Sequence, residues 1–193
     1  RTYLADVEHR ALTLAKKGFP ALKAALRDGD AAKVTGFFSP SFRGGTLDLS
    51  QGTKPKSDAV TFHRAKASPS PSAETAVVRE AFTQYLIGFI KRFDRSVQLE
   101  MKLLDLAPLR RADFAGPWRG NANLRMFGRY SGGRPAEVFL KLDIDFARIA
   151  DVDMIGNDTG WIQSMRVTEG YQASSERDLF SEVGKARGID PEL

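Results

Sequence analysis

Two histidines, four tyrosines and no cysteine bound the chemistry open to this chain. Without cysteine, disulfides, thiolate metal centres and cysteine nucleophiles are all excluded. His9 lies on the polar side of an N-terminal helical pattern, with no second histidine or carboxylate pair at ligand spacing, and reads as a surface residue. His63 falls in a stretch rich in Ser, Pro, Lys, Thr and Gly, and is the one group there suited to catalysis. Asp151, Asp153 and Asp158 invite a calcium reading, but the EF-hand glycine and terminal glutamate are missing, so the run reads as a solvated turn. No metal and no cofactor are expected. Tyr85, Tyr130 and Tyr171 remain, and a phenol with a reference pKa near 10 is a poor general base at neutral pH.

What must position these groups is a sheet. Between Asn121 and Arg148 two alternating stretches meet across Ser131-Gly132-Gly133-Arg134-Pro135. Ala122, Leu124, Met126 and Tyr130 take even positions in the first, with Gly128 among them; Val138, Leu140, Leu142, Ile144 and Phe146 take them in the second. The odd positions carry Asn121, Asn123, Arg125 and Arg129, then Glu137, Lys141, Asp143 and Asp145. Side chains alternate between the faces of a strand, so the pattern predicts an antiparallel hairpin with one apolar and one charged face. Asp143 and Asp145 then point away from the core. Opposed residues share a face, so pairing must add to an even sum. A five-residue loop from Ser131 to Pro135 predicts Tyr130 opposite Ala136, Phe127 opposite Phe139 and Arg125 opposite Lys141. Phe127 and Phe139 would form an aromatic pair on the charged face, and two exposed phenylalanines there need cover.

Around this hairpin the chain orders helices first and strands last. Leu4, Val7, Ala11, Leu14 and Ala15 recur at helical spacing, and Leu22 and Leu26 continue the stripe past Gly18 and Pro20. Pro20 is expected to kink the helix or start a new turn. Gly29 ends it, and Asp30 caps a short helix to Phe37-Phe38. Ser39 to Gly45 reads as a turn before an edge strand from Thr46 to Leu49. Residues 50–72 read as a flexible loop in which Val60, Phe62 and His63 add a brief strand. From Ala73 to Phe93, Val78, Phe82, Tyr85, Leu86, Phe89, Ile90 and Phe93 form the apolar face of a long helix that Ser72 or Thr75 caps. Further strands run through Val97, Leu99, Met101 and Leu103, and from Trp161 to Tyr171, the latter with Trp161, Met165, Val167 and Tyr171 on one face.

The chain has 193 residues, 42% hydrophobic, enough for one good core. No apolar run approaches the ~18 residues of a membrane helix. The net charge of +5 is scattered; Lys16-Lys17, Lys91-Arg92 and Arg110-Arg111 are its longest runs, and no aromatics interleave with them. Neither nucleic-acid binding nor membrane insertion is expected.

Early helices against a late sheet give an α+β layer. The order resembles the nuclear transport factor 2-like superfamily, the cystatin-like or ketosteroid isomerase-like cone. Leu22 to Gly44, with Gly29-Asp30 between the helices and Phe37-Phe38 to Phe42-Arg43-Gly44 after them, carries the likeness, followed by the aromatic helix Phe82 to Phe93. It covers residues 1–173. The resemblance implies a curved antiparallel sheet of four to six strands wrapped around the long helix, with a pocket at its open end. Tyr85, Phe89, Trp118, Met126, Tyr130, Trp161 and Tyr171 would line that pocket and hold a small apolar ligand. Family enzymes place an Asp, His or Tyr inside the cone, and the inferred inner face here carries no carboxylate or histidine in register. Family members also dimerise through the sheet face, where Phe127 and Phe139 would lie.

Residues 174–193 read as a C-terminal helix or a linker. Within them, Asp178 to Asp190 resembles the segment that opens FG-GAP/VCBS-repeat propeller proteins, with Leu179-Phe180, Glu182-Val183, Ala186 and Gly188-Ile189 as the matching residues. That likeness implies the N-terminal domain of a longer, exported, extracytoplasmic bacterial protein. The expectation is a non-catalytic association or apolar-ligand-binding domain, a homo-oligomer or the companion of a partner domain. An isomerase or dehydratase with its site in the cone is the competing class.

Overall fold

The long strands alternate apolar and polar residues, and the structure resolves that pattern into a curved, unclosed mixed sheet of seven strands with helices on one face. The computed structural model describes residues 2–50, 60–67, 76–110, 113, 115–147, 155 and 160–176. Helix α1 (Thr2–Thr13) passes through a π turn, Leu14–Gly18, into α2 (Phe19–Asp28). Pro20 has no N–H for the carbonyl four residues back, and the turn widens so that the Phe19 N–H reaches the Leu14 carbonyl five residues back. Pro20 thus falls in the first turn of α2, as expected of a proline that starts a new turn. Gly29 ends α2 in the left-handed region (φ 67°), and the Asp30 carboxylate accepts from the Lys33 N–H at 3.0 Å to cap α3 (Ala31–Phe37).

β1 is Phe38–Gly45, not the expected Thr46 to Leu49. It runs parallel to β7 (Ile162–Ser175), with a break in register between Phe38 and Arg43. Pro40, which cannot donate to a ladder, falls inside that break. β2 (Val60–Lys66) is a full seven-residue strand within the segment read as a flexible loop, antiparallel to the far half of β7. β3 (Ala76–Val77) pairs with Gly44-Gly45 and takes up chain expected to be helical, so α4 is only Arg79–Ile90. Its N-cap is Val78, with no side-chain cap; the proposed caps Ser72 and Thr75 lie outside the described residues. β4 (Gln98–Pro108), β5 (Trp118–Arg129) and β6 (Pro135–Phe146) complete the sheet in the order β3-β1-β7-β6-β5-β4.

Two details of pairing differ from expectation and both matter for function. The hairpin loop is Tyr130–Arg134, so Arg129 lies opposite Pro135, Phe127 opposite Glu137 and Arg125 opposite Phe139. Tyr130 leaves the hairpin because it bridges Phe93, and the Ser131 N–H bonds the Arg92 carbonyl at 2.9 Å. The parity of the hairpin is as expected; its register moves by two, and Phe127 and Phe139 no longer face each other. In β7, Lys141 opposes Glu169 while Leu142 opposes Val167, leaving Thr168 as the extra residue of a bulge. A bulge switches the face on which later side chains fall. Tyr171 therefore leaves the core face, and Gly170 takes its place against Leu140.

One core results. Phe82, Leu86, Phe89 and Ile90 of α4 are buried in the same cluster as Leu124, Leu140 and Leu142, with Leu99 partly buried against it. Phe82 packs on Phe38 and Phe42 at ring separations of 5.7 and 5.3 Å, which anchors α4 on β1. Gly44 makes this possible, since an added Cβ would lie 2.5 Å from the Phe82 ring.

Candidate functional site

The seven residues read as one pocket do not converge. Trp118 is buried beside α1, with the Arg10 guanidinium 4.9 Å above its ring. The space among Trp118, Leu14, Leu106 and Phe146 is only about 10 Å³, room for a single water. Met126 and Trp161 are core, the latter stacked near Phe146. Tyr85 and Phe89 border a hollow of about 350 Å³ beside Leu47 and Arg92. Tyr130, packed edge-on against Phe93, borders another of about 180 Å³ with His63. Tyr171 is on the opposite side of the sheet. Among the described residues, Trp118, Met126 and Trp161 fill the inner side of the sheet, and Tyr85, Phe89 and Tyr130 border hollows.

Neither Tyr85 nor Tyr171 is poised as a base. Tyr85 donates to the Leu47 carbonyl at 2.9 Å and accepts from the Leu47 N–H at 3.3 Å, and burial pushes its phenol up to about 12. Burial, and then the Glu137 carboxylate that its hydroxyl donates to at 2.5 Å, push Tyr171 up to about 12 as well. Among the described residues, none of these hollows, nor the one over Phe127 and Glu137, brings a histidine and a carboxylate together. Asp143 and Asp145 point outward, each paired with an arginine, and Asp113 lies in a turn with the Gly116 N–H. Among the described residues no group of three His, Asp or Glu could hold a metal, and Asp151, Asp153 and Asp158 lie outside them.

The outer face of the sheet is the more organised surface. Phe139 and Tyr171 are direct neighbours and stack at 5.2 Å; Phe62 of β2 stacks on the other side of Tyr171 at 5.3 Å. Phe127 sits one strand over, beneath the Arg125 guanidinium at 4.5 Å. All four rings are only partly buried. A shallow hollow of about 410 Å³ opens over Phe127, Arg125 and Glu137. Phe127 and Phe139, the residues expected at an interface, therefore belong to one patch, joined through Arg125 and not by a ring pair.

Charges surround this patch and pair within it. Arg125 holds Glu137 by two bonds of 2.9 and 3.0 Å, and keeps its carboxyl below the usual range. Lys141 donates to Glu169 at 2.8 Å and Arg64 binds the same carboxylate, which lowers it to about 2. Arg119 pairs with Asp145, and Arg166 with Asp143 at 2.9 Å. The strand registers place nine cations here (Arg43, Arg64, Lys66, Lys102, Arg119, Arg125, Arg129, Lys141 and Arg166) against six anions (Glu100, Asp105, Glu137, Asp143, Asp145 and Glu169). The face is mixed in sign, with a moderate excess of cations, in a chain of net charge +5.

Sequence reasoning missed Phe62 and Tyr171 as members of this face. One signal pointed to them. Unbroken alternation from Met165 through Val167 to Tyr171 would bury Glu169, and a carboxylate without a partner is rarely buried. The bulge at Thr168 resolves that conflict.

No protein-family model matches this chain, and no curated protein sequence matches it. Two solved structures share its general layout. One is described as a calcium/calmodulin dependent protein kinase II association domain from Xanthomonas campestris, 14% identical, with a TM-score of 0.41 over 83% of this chain and 84% of that one. The other is AusH from Aspergillus nidulans, 12% identical, with a TM-score of 0.43 over 83% of each chain. Neither likeness bears on what this chain binds; that rests on its own side chains.

Proposed function

We propose that this chain is a non-catalytic association domain that binds protein through the outer face of its sheet, a second copy of itself being the partner. The observation that carries the reading is the aromatic row Phe62–Tyr171–Phe139 with Phe127 beside it, partly exposed on a face where Arg64, Arg119, Arg125, Lys141 and Arg166 are each held by a carboxylate. Isolated exposed apolar residues need no explanation, but a contiguous aromatic patch does. Pre-paired charges are cheaper to cover than bare ones, because their desolvation is already partly met. Strands about 4.8 Å apart, with β5 and β6 each 12 residues long, make the face on the order of 900 Å². A standard protein interface uses about 800 Å² per partner.

Sedimentation at micromolar concentration tests it. The wild type should run as a dimer and the Phe127→Ser, Phe139→Ser variant as a folded monomer. Identical sedimentation of the two would remove this face as the interface. Attachment to an exported propeller protein is a further part of the reading. It rests on residues 178–190, which lie outside the described residues, and propeller repeats in the downstream coding sequence would decide it.

A further inference from the structure

On the opposite side of the sheet, where α4 ends over the far half of β7, the two hollows of about 350 and 180 Å³ share two walls, Arg92 and Gln172. We infer that this trough binds a small organic carboxylate bearing an aryl or alkyl group, its anion held at Arg92 and its apolar part laid against Phe89 and Gly88.

Gly88 is the first reason. It sits inside α4, where glycine is among the least favourable residues, yet neither packing nor backbone geometry asks for it. A Cβ built there would meet nothing within 4 Å, and Gly88 borders the larger hollow. In contrast, a Cβ at Gly18, Gly44, Gly45, Gly120 or Gly170 would run into a neighbour. Gly88 keeps space open at a cost to the helix, and space is what a ligand uses.

Arg92 is the second. Its Nη1 donates to the Gln172 Oε1 at 2.7 Å, and its guanidinium lies 5.2 Å from the Phe89 ring centroid, so its head is held between an amide and an aromatic face. Arg64, Arg119, Arg125, Arg134 and Arg166 each pair with a carboxylate. Arg92 pairs with none among the described residues. A guanidinium fork matches the two oxygens of a carboxylate, which suits it better than a point charge would.

The surroundings divide the trough. The smaller hollow adds His63, Tyr130, Thr61 and Ser174, all able to donate, and the His63 Nδ1 is buried with no partner among the described residues. Buried polar atoms are nearly always partnered, so an orphan beside a cavity marks a site with something to add. The larger hollow supplies Leu47, Leu49 and Phe89. Its one carboxylate, Asp48, is engaged by the Ser50 N–H and hydroxyl at 2.8 and 2.6 Å, and its charge directs an anion toward the Arg92 end. The larger hollow, about 350 Å³, falls in the range of small-ligand pockets.

Sodium phenylacetate is the probe, with 2-phenylethanol and inorganic phosphate as controls, read by calorimetry or ligand-observed NMR on the full chain. Phenylacetate should bind, with 2-phenylethanol and phosphate each at least tenfold weaker. Arg92→Gln should weaken phenylacetate about tenfold. Gly88→Leu should abolish binding while the melting temperature holds or rises, because leucine fills open space and favours the helix. Sedimentation should not change in either variant, which separates this site from the association face. Phenylacetate binding that survives Gly88→Leu, phosphate binding as tightly as phenylacetate, or no phenylacetate binding at tens of millimolar would each overturn the assignment.

Discussion

Glu169 shows how one side chain on the outer face is both partner and constraint. Lys141 and Arg64 bind its carboxylate and lower its pKa to about 2, from an ordinary value near 4.5. A carboxyl whose folded pKa lies below its unfolded one stabilises the fold fully above the unfolded value. That contribution is lost as the pH falls through the folded one. The stability gap between wild type and Glu169→Gln should therefore be constant from about pH 7 to pH 5 and shrink steadily toward pH 2. Urea unfolding at successive pH values measures it, and a gap that widened in acid would mean that the two cations are not its partners. The same residue explains a limit of sequence reading. Its position in the alternation was a contradiction that only a bulge removes, and a bulge leaves no residue-type signature at Thr168 itself.

At the scale of elements, what alternation alone decides was legible and what other chain segments decide was not. The apolar even positions of β5 and β6 are buried as a set, because a face that turned outward would expose five large side chains at once. Leu140, fully buried between Leu124 and Gly170, is the test of that face: Leu140→Ala should cost about 2–5 kcal/mol in denaturant unfolding. A loss below about 0.5 kcal/mol would be that of a strand facing water. The hairpin register, by contrast, depends on Tyr130 bridging Phe93, a contact between segments 37 residues apart that no local pattern encodes. β2 and β3 were underread for a related reason. Each is made by its partner, β2 by the long free edge of β7 and β3 by Gly44-Gly45, and neither has an alternation of apolar residues of its own. Of the pocket residues, Tyr85, Phe89 and Tyr130 border hollows while Trp118, Met126 and Trp161 became core, since types that can line a pocket are the types that fill one.

At the scale of the molecule the sheet separates two surfaces of different chemistry. Among the described residues, helices pack on one side, with the trough beside Arg92 at its margin; the other side presents aromatic rings among charges of both signs. A basic chain usually raises the question of nucleic acid, and the two readings differ in how they respond to salt. Polyanion binding requires bare cations and weakens by orders of magnitude between about 50 and 200 mM salt. Here Arg64, Arg119, Arg125, Lys141 and Arg166 are already neutralised by carboxylates of the same face, so these five have few counterions to release. The proposed association through Phe62, Phe127, Phe139 and Tyr171 would draw instead on apolar area removed from water, which salt does not screen. The dimer dissociation constant should accordingly change by less than about threefold between 50 and 500 mM sodium chloride, measured by sedimentation equilibrium. A tenfold or greater weakening would show that charges between subunits, not the aromatic patch, hold the pair together. The charges on this face would then be open to a partner, and their pairing within one chain would be a property of the free subunit alone.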